Sequence, residues 1–371
     1  MNRVQRNVFK AAAVAGIVLV LLFAAGCSGD LLGYIQELVA RAEYNGIIEL
    51  PRTGQTTMNE TGDDGDLKMG VAWPDPRFTD HGNGTITDNL TGLIWLKDGN
   101  RFGQRTWSVA LSDCNGLADN GTNLTDGSSA GDWRLPNVNE LKSLINAGAA
   151  YPDIWLNSQG FSGVQADNYW SSTTYAIDTP YAWYVYMLMG IVSNAIKTDS
   201  HYVLAVRSGQ AGGTVSLPRT GQITMGAAGD DGHLEKGVAW PVPRFTVGAE
   251  TGCITDNLTG LMWDQSGDTA GETKTWAEAL SDCNGLSLGG HSDWRLPNVN
   301  ELESLMHAGQ EYPADWLNGQ GFIGVQFSGY WSSTTYAANP TGAWYVIMGI
   351  GSVFNLSKAD NCYVLAVRGG Q

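Results

Sequence analysis

The stretch DWRLPNVNEL at 132–141 returns letter for letter as DWRLPNVNEL at 293–302. Working outward from it, PRTGQ at 51 recurs at 218, GVAWP at 70 recurs at 237, and TDNLTGL at 87 recurs at 255. SDCNGL at 112 recurs at 281, YWSSTTYA at 169 recurs at 330, and YVLAVR at 202 recurs at 363. Each copy carries seven tryptophans, and all seven pairs fall at matching positions. A repeat this long is a whole domain and not one unit of a solenoid. The expected organisation is a domain over 51–210, a linker over 211–217 and a second domain over 218–371.

Within a copy, Asn137 and Glu140 have the spacing of a capping box, as do Asn298 and Glu301. TWSVALSDCN (106–115) reads as a second short helix stopped at Gly116. FTDHGNGTITDNLTGLIW (78–95) has turn residues between β-branched runs, as a hairpin has, and the segment from YWSSTTY to AVR reads as strands alone. The predicted class is therefore α+β, with two short helices per domain and a mostly antiparallel, strand-rich C-terminal part.

Residues 11–25 form an apolar run behind Arg3, Arg6 and Lys10, and the run ends in Ala-Ala-Gly-Cys27. Fifteen residues are short for a membrane span and suit a signal segment. The small residues before Cys27 predict a bacterial lipoprotein, lipidated at Cys27 and held at the envelope surface. Ordinary cleavage after Gly26 is the other reading. Residues 27–50 then form the anchor and a short stem helix. The net charge is −16, and removing residues 1–26 makes it about −19. Such a chain does not attract nucleic acid or other polyanions.

Two copies allow a test of chemistry, because a site serving both should recur. No histidine does: His81 and His291 have no counterpart, and His201, His233 and His307 face Cys362, Asp66 and Asn146. No cofactor, metal site or catalytic dyad is predicted, and an enzyme is the weakest of the readings. The Asp63–Asp66 turn has oxygen ligands that calcium could use, against the plainer reading of a solvated turn. Cys114 and Cys283 are equivalent and read as buried scaffold thiols. Cys253 and Cys362 occur only in the second copy, which predicts a disulfide between them, the alternative being two unrelated thiols.

From 162 onward the copies differ by an unusual rule. The differing pairs include Ser162/Ile323, Ala166/Phe327, Asp167/Ser328, Asn168/Gly329, Ile177/Ala338, Asp178/Asn339, Thr179/Pro340, Pro180/Thr341, Tyr181/Gly342 and Tyr186/Ile347. They continue with Leu188/Gly349, Met189/Ile350, Ile191/Ser352, Ser193/Phe354, Ala195/Leu356, Ile196/Ser357, Thr198/Ala359, Ser200/Asn361, His201/Cys362 and Ser208/Gly369. Val192 and Asn194 stay fixed while 191, 193 and 195 change, a period of two that puts the sets on opposite faces of a strand. Met189 apart, no changed position uses Lys, Glu, Gln, Met or Trp, the five types whose codons never end in C. That restriction suggests targeted mutation at adenines, with drift on an exposed, charge-poor strand as the alternative. These positions, apart from Pro180, Ile196, Thr198, Ser200, Gly342 and the pairs at 177, 179, 189, 201 and 208, form the candidate ligand site, for an unidentified protein or glycan.

The motifs RFTDHGNGTITDNLTGLIW, DWRLPNVNEL, YWSSTTY, AWYV and YVLAVR resemble the Lcl C-terminal domain family over nearly all of 51–371, twice. The resemblance implies a C-type lectin-like fold of the formylglycine-generating-enzyme type. That group's catalytic cysteine pair does not recur, and the Glu-Pro-Asn signature of calcium-dependent sugar binding is missing from the sequence. Some members look like variable targets of diversity-generating retroelements, whose ligand site lies in the C-terminal strands and loops. Glycosaminoglycan binding in one branch of the family fits poorly with a charge of −16.

Overall fold

The computed structural model describes residues 48–209, 212–248 and 251–369. The signal segment, Cys27 and the stem helix lie outside the described residues. Among the described residues no helix is long and apolar enough to cross a membrane.

The first copy runs α1 (Asp64–Leu67), β1 (Phe78–Asp80), β2 (Thr85–Asp88), β3 (Ile94–Leu96), β4 (Gln104–Arg105), α2 (Trp107–Asn115), α3 (Val138–Lys142) and α4 (Pro152–Ser158). It continues with β5 (Asn168–Thr174), β6 (Tyr181–Tyr186), β7 (Ile191–Ile196), β8 (His201–Tyr202) and β9 (Val206–Arg207). The second runs α5 (Asp231–Leu234), β10 (Phe245–Val247), β11 (Cys253–Asp256), β12 (Met262–Asp264), α6 (Trp276–Asn284), α7 (Val299–Ser304) and α8 (Pro313–Gly319). It ends with β13 (Gly329–Thr335), β14 (Gly342–Ile347), β15 (Val353–Ser357) and β16 (Val367–Arg368). The class is α+β and the pairing mostly antiparallel. Among the described residues each copy has four short helices and not the expected two. Pro152 and Pro313 start α4 and α8 at the position where a missing N–H costs nothing, and α1 and α5 are single turns capped by Asp63 and Asp230.

Both capping boxes form as their spacing predicts. Glu140 and Glu301 also take bidentate bonds from Arg134 and Arg295 at 2.5–2.6 Å, so the extended segment that enters each helix is tied to it by the motif's own charges. One small sheet orders β1-β2-β3-β9 and its twin orders β10-β11-β12-β16. The third sheet spans both copies in the order β13-β14-β15-β7-β6-β5-β8-β4. Its seam is the antiparallel pair Val192 and Val353, equivalent positions of the two copies.

The segments that open the copies are exchanged. Gln55 exchanges two hydrogen bonds with the backbone of Thr335 at 2.9 and 3.0 Å, and Gln222 does the same with Thr174. Thr334 donates to Asp64 at 2.7 Å and Thr173 donates to Asp231 at 2.8 Å. Asn298 donates to the Met69 carbonyl and Asn137 to that of Lys236, both at 3.2 Å. The first arm thus bonds to the second core and the second arm to the first, while the Thr53 and Thr220 carbonyls also accept from Ala147 and Ala308 of their own copies, so each arm straddles the two.

Candidate functional site

Strand alternation builds the candidate surface. Across the large sheet, paired residues share a face, and the registers run Tyr169, Val185, Val192, Val353, Val346, Tyr330 in one row. Every member of that row is buried. The neighbouring residues Tyr184, Tyr186, Ile191, Ser193, Tyr345, Ile347 and Phe354 point the other way and are half-buried. This half-exposed face carries the varied positions 168, 186, 191, 193, 195, 347, 354 and 356, whereas the varied residues Tyr181 with Ile196 and Gly342 with Ser357 pair on the side of the buried row.

In the first copy Ser162, Ala166 and Asp178 are exposed, while Asp167, Asn168, Tyr181, Tyr186, Leu188, Ile191, Ser193 and Ala195 are half-buried. In the second, Ile323, Phe327, Ser328, Asn339, Thr341, Ser357, Ala359 and Asn361 are exposed, and Gly329, Ile347, Phe354 and Leu356 are half-buried. Gly349 and Ser352 are buried, against the expectation of a surface contact. Ser352 sits one residue from the seam and is 1% exposed. Gly349 lies under Phe327, whose Cα would stand 3.1 Å from a Cβ added there. The equivalent pair in the first copy is Ala166 and Leu188, with small and large exchanged.

The varied positions do not all converge. Asn168, Tyr186 and Ile191 share one row near the seam, whereas Tyr181 pairs with Ile196 at the far end of the hairpin. Ser162 bridges to Asp98, and the Ile323 N–H donates to Gln265, so both sit beside the small sheets. Comparison of the copies overlooked the fixed centre of the face, Tyr184 and Tyr345, because it looked only for differences. The period-two parity of YAWYVY was the available signal. In the first copy Tyr184 meets the His201 ring at 5.4 Å, and in the second Tyr345 meets Phe354 at 6.3 Å. Burial depresses the His201 pKa, against the opposing pull of Asp199 and Asp167.

Nearby charges are committed to the scaffold. Lys197 and Lys358 lie over Trp107 and Trp276 at 4.0 and 3.7 Å and donate to Thr174 and Thr335 at 2.8 Å. Burial holds both ammonium groups below their usual pKa. The acidic turn considered for calcium is similarly occupied. Asp63 accepts from the backbone N–H groups of Asn59, Glu60 and Asp66, and Asp64 from Thr53 and Thr334. Among the described residues no group of three or more His, Cys, Asp or Glu side chains is placed to hold a metal ion.

The expected disulfide does not form: no bond joins Cys253 to Cys362. Cys253 belongs to β11 of the small sheet, with its sulfur 4.0 Å from the Thr251 carbonyl. Cys362 bridges Lys274 and lies against Gly329 beside the large sheet. Burial pushes its thiol up to about 12, with Asp360 adding to the shift. Both are buried in one core cluster, but joint occurrence in one copy did not mean a covalent bond.

The model of the Lcl C-terminal domain matches residues 84–207 and again 252–368. The chain belongs to the Lcl C-terminal domain family. It holds two tandem Lcl C-terminal domains, and the matched ranges contain the whole large sheet and three of the four strands of each small sheet, leaving out β1, β10 and both exchanged arms. No curated protein matches the chain.

Proposed function

We propose that this is a ligand-binding lipoprotein of the bacterial cell envelope, anchored through Cys27, whose two Lcl C-terminal domains meet their ligand through the varied face. One observation carries the reading: Asn168, Tyr186, Ile191, Ser193, Ile347 and Phe354, which differ between copies, lie on the half-exposed face, and the row behind them is fixed and buried. A rigid sheet with replaceable outward side chains suits recognition. The restricted set of residue types supports active diversification of that face. Binding is preferred to catalysis because no catalytic constellation recurs in the two copies of the sequence.

Sequencing the gene from many independent isolates tests this. Substitutions should concentrate at the varied codons, each ending in C. Substitutions spread evenly over the exposed surface would overturn diversification. Radiolabelled palmitate should enter the chain and be lost in Cys27→Ser. A second reading, a structural envelope module whose copies drifted, is favoured by the size-compensated pairs Ala166/Leu188 and Phe327/Gly349, which are what packing alone would select.

A further inference from the structure

We infer that the two varied patches work as one continuous surface, covered by a single protein partner with an apolar centre and a basic rim. This rests on the binding reading above and adds to it that one partner spans both copies. Val192 and Val353 are directly paired, so their side chains share the buried face. Their outward neighbours, Ser193 and Phe354 among them, therefore emerge on one common face. The seam does not divide the patches but joins them.

Size favours a shared occupant. With strands about 4.8 Å apart and six residues spanning about 18 Å, three strands present roughly 250 Å² in projection. A stable protein interface buries about 800 Å² on each side. One copy falls well short, whereas both copies with their rim approach that figure. The chemistry favours protein. β6, β7, β14 and β15 carry no charged residue. Phe327 is 54% exposed at the edge, and Phe354 and Ile347 are half-buried. Aliphatic and aromatic side chains together ask for an apolar complement, as an interface core does. The rim holds Asp167, Asp178, Asp199 and Asp360 on a chain of charge −16, which selects a basic surround.

The test places the photo-reactive residue p-benzoylphenylalanine at Ser193, or separately at Phe354, in the full-length chain within the cells that make it. Val109 on α2 is the control position. Both sites are expected to give the same protease-sensitive adduct. Phe354→Asp or Ile347→Asp should reduce the adduct at 193 at least tenfold in a chain whose thermal unfolding is unchanged. Adducts at the two sites that ignore changes in the other copy would overturn the shared surface and leave the binding reading standing. A protease-resistant, periodate-sensitive adduct would overturn the protein partner. No adduct above the Val109 control would overturn both readings.

Discussion

Lys142 Nζ lies 3.3 Å from Glu303 Oε1, and the two residues are the same position of the two copies. Val192 and Val353 have the same relationship. Equivalent residues meet only on a two-fold axis, so the chain folds as a fused, arm-exchanged pair. A truly symmetric pair would put like charges at that axis, where Glu303 is 8% exposed and Lys142 22%. Lysine in one copy and glutamate in the other remove that repulsion.

Reversing either charge should therefore destabilise the chain. Lys142→Glu or Glu303→Lys is expected to cost about 2–4 kcal/mol, since it leaves like charges in a largely buried site. The double reversal should recover most of the loss. Urea unfolding of the four proteins checks this; a double variant as weak as the sum of the singles would remove the pair from the account.

The arms should dock more firmly in mild acid. Burial raises the Asp64 and Asp231 carboxyls from near 3.8 to about 7, against the bonds from Thr53 and Thr334 and from Thr220 and Thr173. Glu301 and Asp63 add to the rise at Asp64; at Asp231, Glu140 adds to it and Arg134 opposes it. A carboxyl raised on folding contributes stability that is complete below pH 4 and lost as pH climbs through 7. The contribution is on the order of a few kcal/mol for each group. Amide exchange in 51–69 and 218–235, corrected for its intrinsic pH dependence, should rise between pH 6 and 8. Asp64→Asn should flatten the rise in the first arm.

The two sides of the large sheet should tolerate change unequally. Ser193→Phe copies the second domain's residue onto the half-exposed face and should cost less than about 1 kcal/mol. Val192→Asp puts a charge into the buried row and should cost at least about 3 kcal/mol. Chemical denaturation distinguishes them. Equal costs would mean that the varied face is as tightly packed as the core.

Cys114, Cys283 and Cys362 are buried thiols whose ionisation burial opposes. Iodoacetamide at pH 8 should leave them unlabelled in the folded chain. Unfolding without reductant should label all of them. Failure at Cys362 alone would restore the disulfide.

Local features could be read from the sequence, and long-range ones could not. The duplication, the capping boxes at Asn137 and Asn298 and the α+β class lie in short spacings or in direct repetition. The alternation at 191–195 puts 191, 193 and 195 opposite the buried Val192, because parity is a local property, while the fixed Asn194 is as half-buried as the positions that vary. The arm exchange left no such trace. PRTGQ is identical in both copies, so nothing in it says which core it joins. Asp64 looked like a solvated turn residue because Thr334, which buries it, lies 270 positions away. Ser352 is buried beside the seam between copies, whereas its equivalent Ile191 is half-buried, a difference that the sequence of either copy does not announce.

The crossed arms also make the linker mechanically dispensable. A protease cut between Ser208 and Val215 would break the chain without freeing its halves, since each fragment would still be clasped by a segment it does not encode. The pieces should travel together until denatured, and a membrane tether on the first would keep hold of the second.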